Sequence, residues 1–365
     1  MIIDCHAHVF QNWVGNSGHT SSALHKKYLQ RMLVGTAAKT FRRSDGAPAD
    51  TEALIRSGET TWEHLNDVAL RVGRFGQIEF TVEGEDYYAQ YMPVGMQNIE
   101  SPPEFMIAQM DYAGIDHAVL QAGGAYGAMT RYNHFAQQQN PERFTGLIHL
   151  DEALAGSPES LAEIKAFAAA GMKGVYFNAN AFARHSFDGP LDHPSMLPFF
   201  SKLNELGLVL CIECSGQGGT EAEYVGNLRA LARLLEQFPA IGVQVAMGPP
   251  VSFFAKDGQW NFPSDVLALF RRDNFYLEIM YPITWGGLWD YPYVESRPLI
   301  ENLRNQVGAE RLLWGSDMPN VERYCTYPQS LEYLRRYCTF LTATELDQIL
   351  GLNAARLYNI PTLGR

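Results

Sequence analysis

The chain has 365 residues, 46% hydrophobic and 19% charged, ordinary values for a globular protein. That length suits two domains, or one α/β barrel of about 250 residues carrying an insertion. A net charge of −12 argues against nucleic acid or an anionic membrane as main partner, while an anionic small molecule stays possible because a local metal or arginine outweighs a global field.

The chain opens Met-Ile-Ile-Asp-Cys-His-Ala-His, an apolar run that ends in His6 and His8. Side chains two apart on a strand share a face, so the two imidazoles project together, with Asp4 on that face and Cys5 and Ala7 on the other. Two imidazoles at the end of a buried strand are a ready pair of metal ligands. No basic leader precedes the strand, and no apolar run approaches the roughly 20 residues of a membrane span. Residues 11–100 then interrupt the pattern with helix-like stretches at 22–33, 49–57 and 61–71 and the aromatic cluster Tyr87, Tyr88 and Tyr91.

Beyond the interruption, short apolar runs alternate with helical patterns. The strands expected are 117–121, 145–150, 173–178, 208–213, 242–247, 275–280 and 311–315. Helices are expected at 157–170, opened by a Ser-Pro cap signature, and at 194–206, 222–237, 293–307 and 328–340. With the first run this makes eight strands alternating with helices, the pattern of a parallel (β/α)8 TIM barrel in the α/β class. Without residues 11–100 about 275 residues remain, close to a plain barrel. The chain thus reads as one barrel domain, residues 1–365, with a large insertion after strand one that serves as a lid or an oligomer contact. The five cysteines are an odd number for a chain this long and suggest reduced thiols in a cytoplasm. Cys211 and Cys214 lack the second pair that a structural zinc site needs.

The residue ending each barrel strand points to a common mouth, where such barrels keep their active sites. Strand one offers His6 and His8, strand five Glu213, strand six Met247, and the run after strand eight Asp317. An acid directly after a buried strand is costly unless it meets a cation or another partner.

Five segments together resemble the amidohydrolase superfamily, in its aminocarboxymuconate-semialdehyde decarboxylase-like branch. They are Asp4-Cys5-His6-Ala7-His8, Met110 to Asp116 (Met-Asp-Tyr-Ala-Gly-Ile-Asp), Asn140 to Phe144 (Asn-Pro-Glu-Arg-Phe), Trp314 to Pro319 (Trp-Gly-Ser-Asp-Met-Pro) and Asn353 to Leu357 (Asn-Ala-Ala-Arg-Leu). The resemblance implies a (β/α)8 barrel, often dimeric, that holds one divalent metal ion. Its ligands are the strand-one histidines, a strand-five histidine and the strand-eight aspartate, with a strand-six histidine acting beside the metal. His6, His8 and Asp317 match. Glu213 stands where the strand-five histidine belongs, and Met247 where the strand-six histidine belongs.

Glutamate for histidine keeps a ligand, and the added negative charge favours manganese or iron relative to zinc. Glu213 is alternatively an acid–base residue of a metal-free pocket. Met247 transfers no proton and is read as packing at the mouth. Candidates to replace the missing imidazole are His149 and His185. Arg184 is a candidate carboxylate anchor, Asn178 a donor to a substrate oxygen, and Glu278 a group facing the mouth, while Trp285 belongs to an aromatic wall.

The leading expectation is non-oxidative decarboxylation of an aromatic or unsaturated cyclic carboxylic acid, with Asp317 delivering the proton. Metal-dependent hydrolysis of a lactone- or amide-type ring, hydration of a conjugated acid, and a nonenzymatic binding barrel are the alternatives. The expected partners are a small carboxylate substrate and a second copy of the chain.

Overall fold

The structure, a computed structural model, describes residues 1–34, 40–59, 61–179, 181, 189–214, 219–279 and 287–362. Eight parallel strands form one sheet: β1 (Ile3–Ala7), β2 (His117–Leu120), β3 (Phe144–His149), β4 (Gly174–Asn178), β5 (Val209–Glu213), β6 (Val243–Val245), β7 (Phe275–Ile279) and β8 (Leu312–Trp314). Each pairs with the next in this order, as in a (β/α)8 barrel. The first and last strands meet at an Ala7–Met318 bridge. There Asp317 N donates to His6 O at 2.7 Å and His8 N donates to Met318 O at 2.9 Å.

The strands alternate as a barrel requires. Val119, Leu147, Tyr176, Cys211, Tyr276 and Leu313 point into the lumen, where Tyr358 of the last helix joins them. Leu120, Ile148, Val175, Phe177, Ile212 and Val245 point outward under the helices. The helix Glu221–Gln237 shows the complementary pattern, burying Tyr224, Leu228, Leu231 and Leu235 at three- and four-residue spacing. A capping box of Thr220 and Glu223 satisfies its first amides. Ser157 caps the helix Pro158–Ala169 by accepting from Ser160 N at 3.2 Å. All five cysteines are free and buried, and Cys211 faces the lumen while Cys214 packs in the outer shell. Among the described residues no helix is long and apolar enough to cross a membrane.

β1 departs from simple alternation. Its register against β2 shifts between Asp4 and Ala7, and such a bulge re-aims side chains. Cys5 therefore faces the lumen and Asp4 faces outward, the reverse of the alternation expected from the sequence. Asp4 accepts hydrogen bonds from the Ser316 hydroxyl at 2.5 Å, the Tyr327 hydroxyl at 2.7 Å and the amides of Ser316 and His6. One carboxylate thus ties the first strand to the loop after the last.

Residues 11–100 leave and rejoin the barrel at a pair of 2.9 Å hydrogen bonds between the backbones of Phe10 and Ser101. The helix Ser22–Leu33 forms, capped by Ser21. The helices expected at 49–57 and 61–71 do not: the chain there makes only the short turns Glu52–Leu54 and Trp62–His64. In their place is a five-stranded antiparallel sheet ordered Pro48–Ala49, Thr40–Arg42, Glu85–Gln90, Gln77–Val82, Arg71–Val72. Its central hairpin turns at Glu83 and Gly84, both at positive φ, as a type I′ turn requires. Ile78 and Phe80 alternate inward onto Phe10, Trp13 and Leu29, and that cluster continues into Ala122, Tyr126 and Met129 beyond β2.

Burial pushes the Asp4 carboxyl up to about 6 from an ordinary 3.8, against the lowering effect of its four donors. The folded chain therefore holds a proton on Asp4 at pH values where the unfolded chain has lost it. This contribution is complete below pH 4 and disappears as pH rises through 6. The stability of wild type relative to Asp4→Asn is expected to fall by roughly 2 kcal/mol between pH 4 and pH 7, read from urea unfolding. A pH-independent difference would contradict the assignment.

Candidate metal centre

His6, His8 and Asp317 converge at the seam that closes the barrel. All three are buried, and one ligand atom from each lies within 4.8 Å of the others. Asp317 Oδ1 is 2.9 Å from His8 Nε2 and 3.8 Å from His6 Nε2. Two local features make this approach possible. Gly315 lets the chain after β8 pass close to β1, because a Cβ there would lie 2.8 Å from the His6 Cβ. Asp317 itself takes a left-handed backbone (φ +63°), a conformation aspartate tolerates better than most residues.

Neighbouring groups fix each of the three side chains. His6 Nδ1 meets Glu278 Oε2 at 2.9 Å, so its Nε2 faces the cluster. The His8 ring stacks on Tyr126 with centroids 4.0 Å apart, and the Tyr126 hydroxyl donates to Asp317 Oδ1 at 3.4 Å. Asn320 Nδ2 donates to Asp317 Oδ2 at 2.7 Å. These leave His8 Nε2 buried without a hydrogen-bond partner, its contact with Asp317 being too poorly aligned to count as one. An orphaned imidazole nitrogen beside a buried carboxylate oxygen and a second oriented imidazole is what a divalent ion would satisfy. The donor set fits a catalytic ion, which takes three protein ligands and keeps a position open.

The charges of the site follow from its burial and its carboxylates. Burial alone would lower the His6 imidazole, but Glu278, then Asp317 and Asp4, reverse this and raise it to about 9. His8 is held below its ordinary value by burial, against the pull of Asp317. Burial disfavours the charged form of Asp317, yet His8, His6 and Asn320 bring its carboxyl below the usual range.

Glu278 is not at the mouth, where the sequence suggested it would meet substrate. It lies 1% exposed in the barrel interior, beneath His6. Gln121 Nε2 donates to its Oε1 at 2.6 Å, Gln244 Nε2 donates to the same oxygen, and Met247 N donates to Oε2 at 2.8 Å. Tyr358 extends this chain by donating to Gln244 Oε1 at 2.5 Å. Gln121 and Gln244 were legible as polar residues in otherwise apolar strands, although nothing in the sequence joined them to Glu278.

Met247 adopts φ +65°, so its amide reaches Glu278 while its side chain packs against the lumen residues. Glu213 lies outside the 4.8 Å group. The Tyr176 hydroxyl and Asn178 Nδ2 donate to its Oε2 at 2.8 and 2.7 Å, drawing the carboxylate toward β4. Asn178 thus serves Glu213. His149 is half-buried at the end of β3, with its side chain turned inward and its Nε2 3.7 Å from Glu152 and without a hydrogen bond. Arg184, His185 and Trp285 lie outside the described residues.

The family profile described as Amidohydrolase matches residues 3–360. No curated protein matches the chain. Solved structures that share the fold include the following three. A Pseudomonas putida protein described provisionally as a 2-pyrone-4,6-dicarboxylic acid hydrolase has a TM-score of 0.55 and 22% identity, over 73% of this chain and 90% of that one. An Acinetobacter baumannii protein with the same provisional description, carrying citric acid, has a TM-score of 0.52 and 18% identity, over 71% and 90%. The 4-oxalomesaconate hydratase of Rhodopseudomonas palustris has a TM-score of 0.50 and 17% identity, over 70% and 80%.

If Glu278 orients His6, Glu278→Gln should weaken metal retention about 10- to 100-fold, the usual effect of losing such a support. Metal content after dialysis against graded chelator measures this, with circular dichroism as the check on folding. Retention equal to wild type in a folded variant would remove Glu278 from the site.

Proposed function

The chain belongs to the amidohydrolase family, and from that premise we propose a metal-dependent carboxy-lyase that removes carbon dioxide from an aromatic or unsaturated cyclic carboxylic acid without oxidation. His6, His8 and Asp317 would hold one divalent ion, zinc or manganese, with iron also compatible with two histidines and a carboxylate. Such an ion, when bound, supplies Lewis-acid polarisation of substrate oxygens.

The observation that carries this reading is that the Asp317 carboxylate lies against the histidine pair, 2.9 Å from His8 Nε2 and 3.8 Å from His6 Nε2, while the end of strand six brings a methionine, Met247, whose backbone amide meets Glu278. Decarboxylation needs one proton delivered to the carbon that bears the carboxylate. Protonated Asp317 donates it, the carbon–carboxylate bond breaks, and its electron pair forms the new carbon–hydrogen bond as carbon dioxide leaves. Solvent then restores the proton on Asp317. Tyr126 and Asn320 keep the carboxyl in place through this cycle. Glu213, drawn toward β4 by Tyr176 and Asn178, would meet the substrate from the β5 side of the barrel.

One observation favours a second reading. The neighbours of Asp317 hold it as a carboxylate, the form a base needs to take a proton from water. Hydrolysis of a lactone- or amide-type ring, or hydration of a conjugated acid, would use it so. Solved structures of like fold carry the names of enzymes of these two kinds.

A panel of phenolic, muconic and pyrone carboxylic acids separates the readings. Carbon dioxide release, lost at least 1,000-fold in Asp317→Asn as expected for removal of the main proton carrier, supports the lyase. Ring opening or hydration without gas would replace it. A further expectation concerns Glu213→Ala, which should keep its metal within about twofold while turnover falls roughly 100-fold. Loss of the metal would instead make Glu213 a ligand.

A further inference from the structure

Six residues beyond Asp317 the chain carries an arginine that the site as described does not use. The short turn Asn320–Arg323 begins with the residue that clamps Asp317 and ends with Arg323. The Arg323 guanidinium carbon sits 5.6 Å from the centroid of Tyr91 and 5.1 Å from that of Tyr324. Tyr91 comes from the insertion and packs on Trp13, which in turn touches Tyr126. The Tyr126 ring is the one stacked on His8. Burial raises the Tyr91 phenol, with Arg323 opposing the rise and Asp317 and Glu213 adding to it. Arg323 thus lies against the insertion ring that leads, through Trp13 and Tyr126, to His8.

Arginines elsewhere, such as Arg71, Arg143, Arg229 and Arg311, meet a carboxylate within 4.0 Å. Arg323 meets none among the described residues, and its Nε is buried without a hydrogen-bond partner. A half-buried cation with no carboxylate beside it is costly. The two rings steady the guanidinium plane and lessen the cost, but a ring face leaves the in-plane N–H donors unmatched. A carboxylate matches them, because the guanidinium fork and the carboxylate are complementary.

We propose that Arg323 anchors a carboxylate of the substrate beside the His6–His8–Asp317 cluster, with Tyr91 of the insertion as the wall against which the flat substrate lies. The inference rests on the reading of the protein as an enzyme of small carboxylic acids, and it deepens that reading. The anchored carboxylate is a recognition group, so the preferred substrate carries at least two acidic groups, one held by Arg323 and one at the reacting carbon. The insertion is then part of the site, since it supplies one of the two rings that position the anchor.

Calorimetric titration of the metal-loaded protein with isophthalate, cis,cis-muconate and citrate tests this, with the neutral isophthalamide as control. In Arg323→Gln the best of the acids should bind about 10- to 100-fold more weakly, as expected for loss of a charge-assisted pair. Isophthalamide binding and metal content should stay unchanged. Arg323→Lys, which keeps the charge and loses the fork, should fall between, and it serves as the readout if the glutamine variant does not fold. Wild-type affinity for the acid in a folded Arg323→Gln or Arg323→Lys, or equal weakening of the acid and the amide, would overturn the anchor and leave the lyase reading standing. A wild-type protein with full metal content that binds none of the three acids would overturn both.

Discussion

The closure of the barrel between its first and last strands is the constraint on which the site depends. Two backbone hydrogen bonds make that closure, from Asp317 to His6 and from His8 to Met318. Three of the four residues that join the ends of the sheet are thus also the three whose side chains converge. A sheet open at this edge would separate the histidines from the aspartate, so assembly of the fold and assembly of the site are one event. The Asp4 carboxylate reinforces it from outside the lumen by gripping Ser316 and Tyr327. Gly315 permits it by removing the side chain that would collide with His6.

Beneath the seam, the interior of the barrel is not uniformly apolar. Tyr358, Gln244, Gln121 and Glu278 form a buried hydrogen-bonded chain that ends on His6 Nδ1. Burying a carboxylate costs several kcal/mol unless donors surround it. Glu278 has two amide side chains, one backbone amide and an imidazole. This support directs His6 Nε2 toward the cluster and adds negative charge behind it. Carboxylate backing of this kind raises the basicity of a ligand imidazole.

The barrel was legible because its strands are short apolar runs at regular intervals, and all eight form within a residue or two of where they were expected, β6 ending two residues early at Val245. His6, His8 and Asp317 were legible because their spacing and their place at strand ends are local properties. What the sequence hid was non-local or broke a local rule. The bulge in β1 reversed the faces of Asp4 and Cys5, and alternation alone does not announce a bulge. Helical patterns at 49–57 and 61–71 lost to the antiparallel sheet, whose signal was the Glu83-Gly84 turn between alternating strands. Glu278 lies on the lumen side of β7 as its neighbours suggested. Whether such a residue meets substrate or a ligand depends on depth along the strand, which only the packed barrel defines. Arg323 gave no sign, since its environment is built from the insertion and the loop after β8.

The most direct measurement of the central claim is anomalous diffraction, at the absorption edge of the bound metal, from crystals of protein loaded with zinc or manganese. The account predicts one strong peak among His6 Nε2, His8 Nε2 and an Asp317 oxygen, at about 2.0–2.2 Å from each. A peak elsewhere, or no peak in crystals whose protein carries stoichiometric metal, would contradict it.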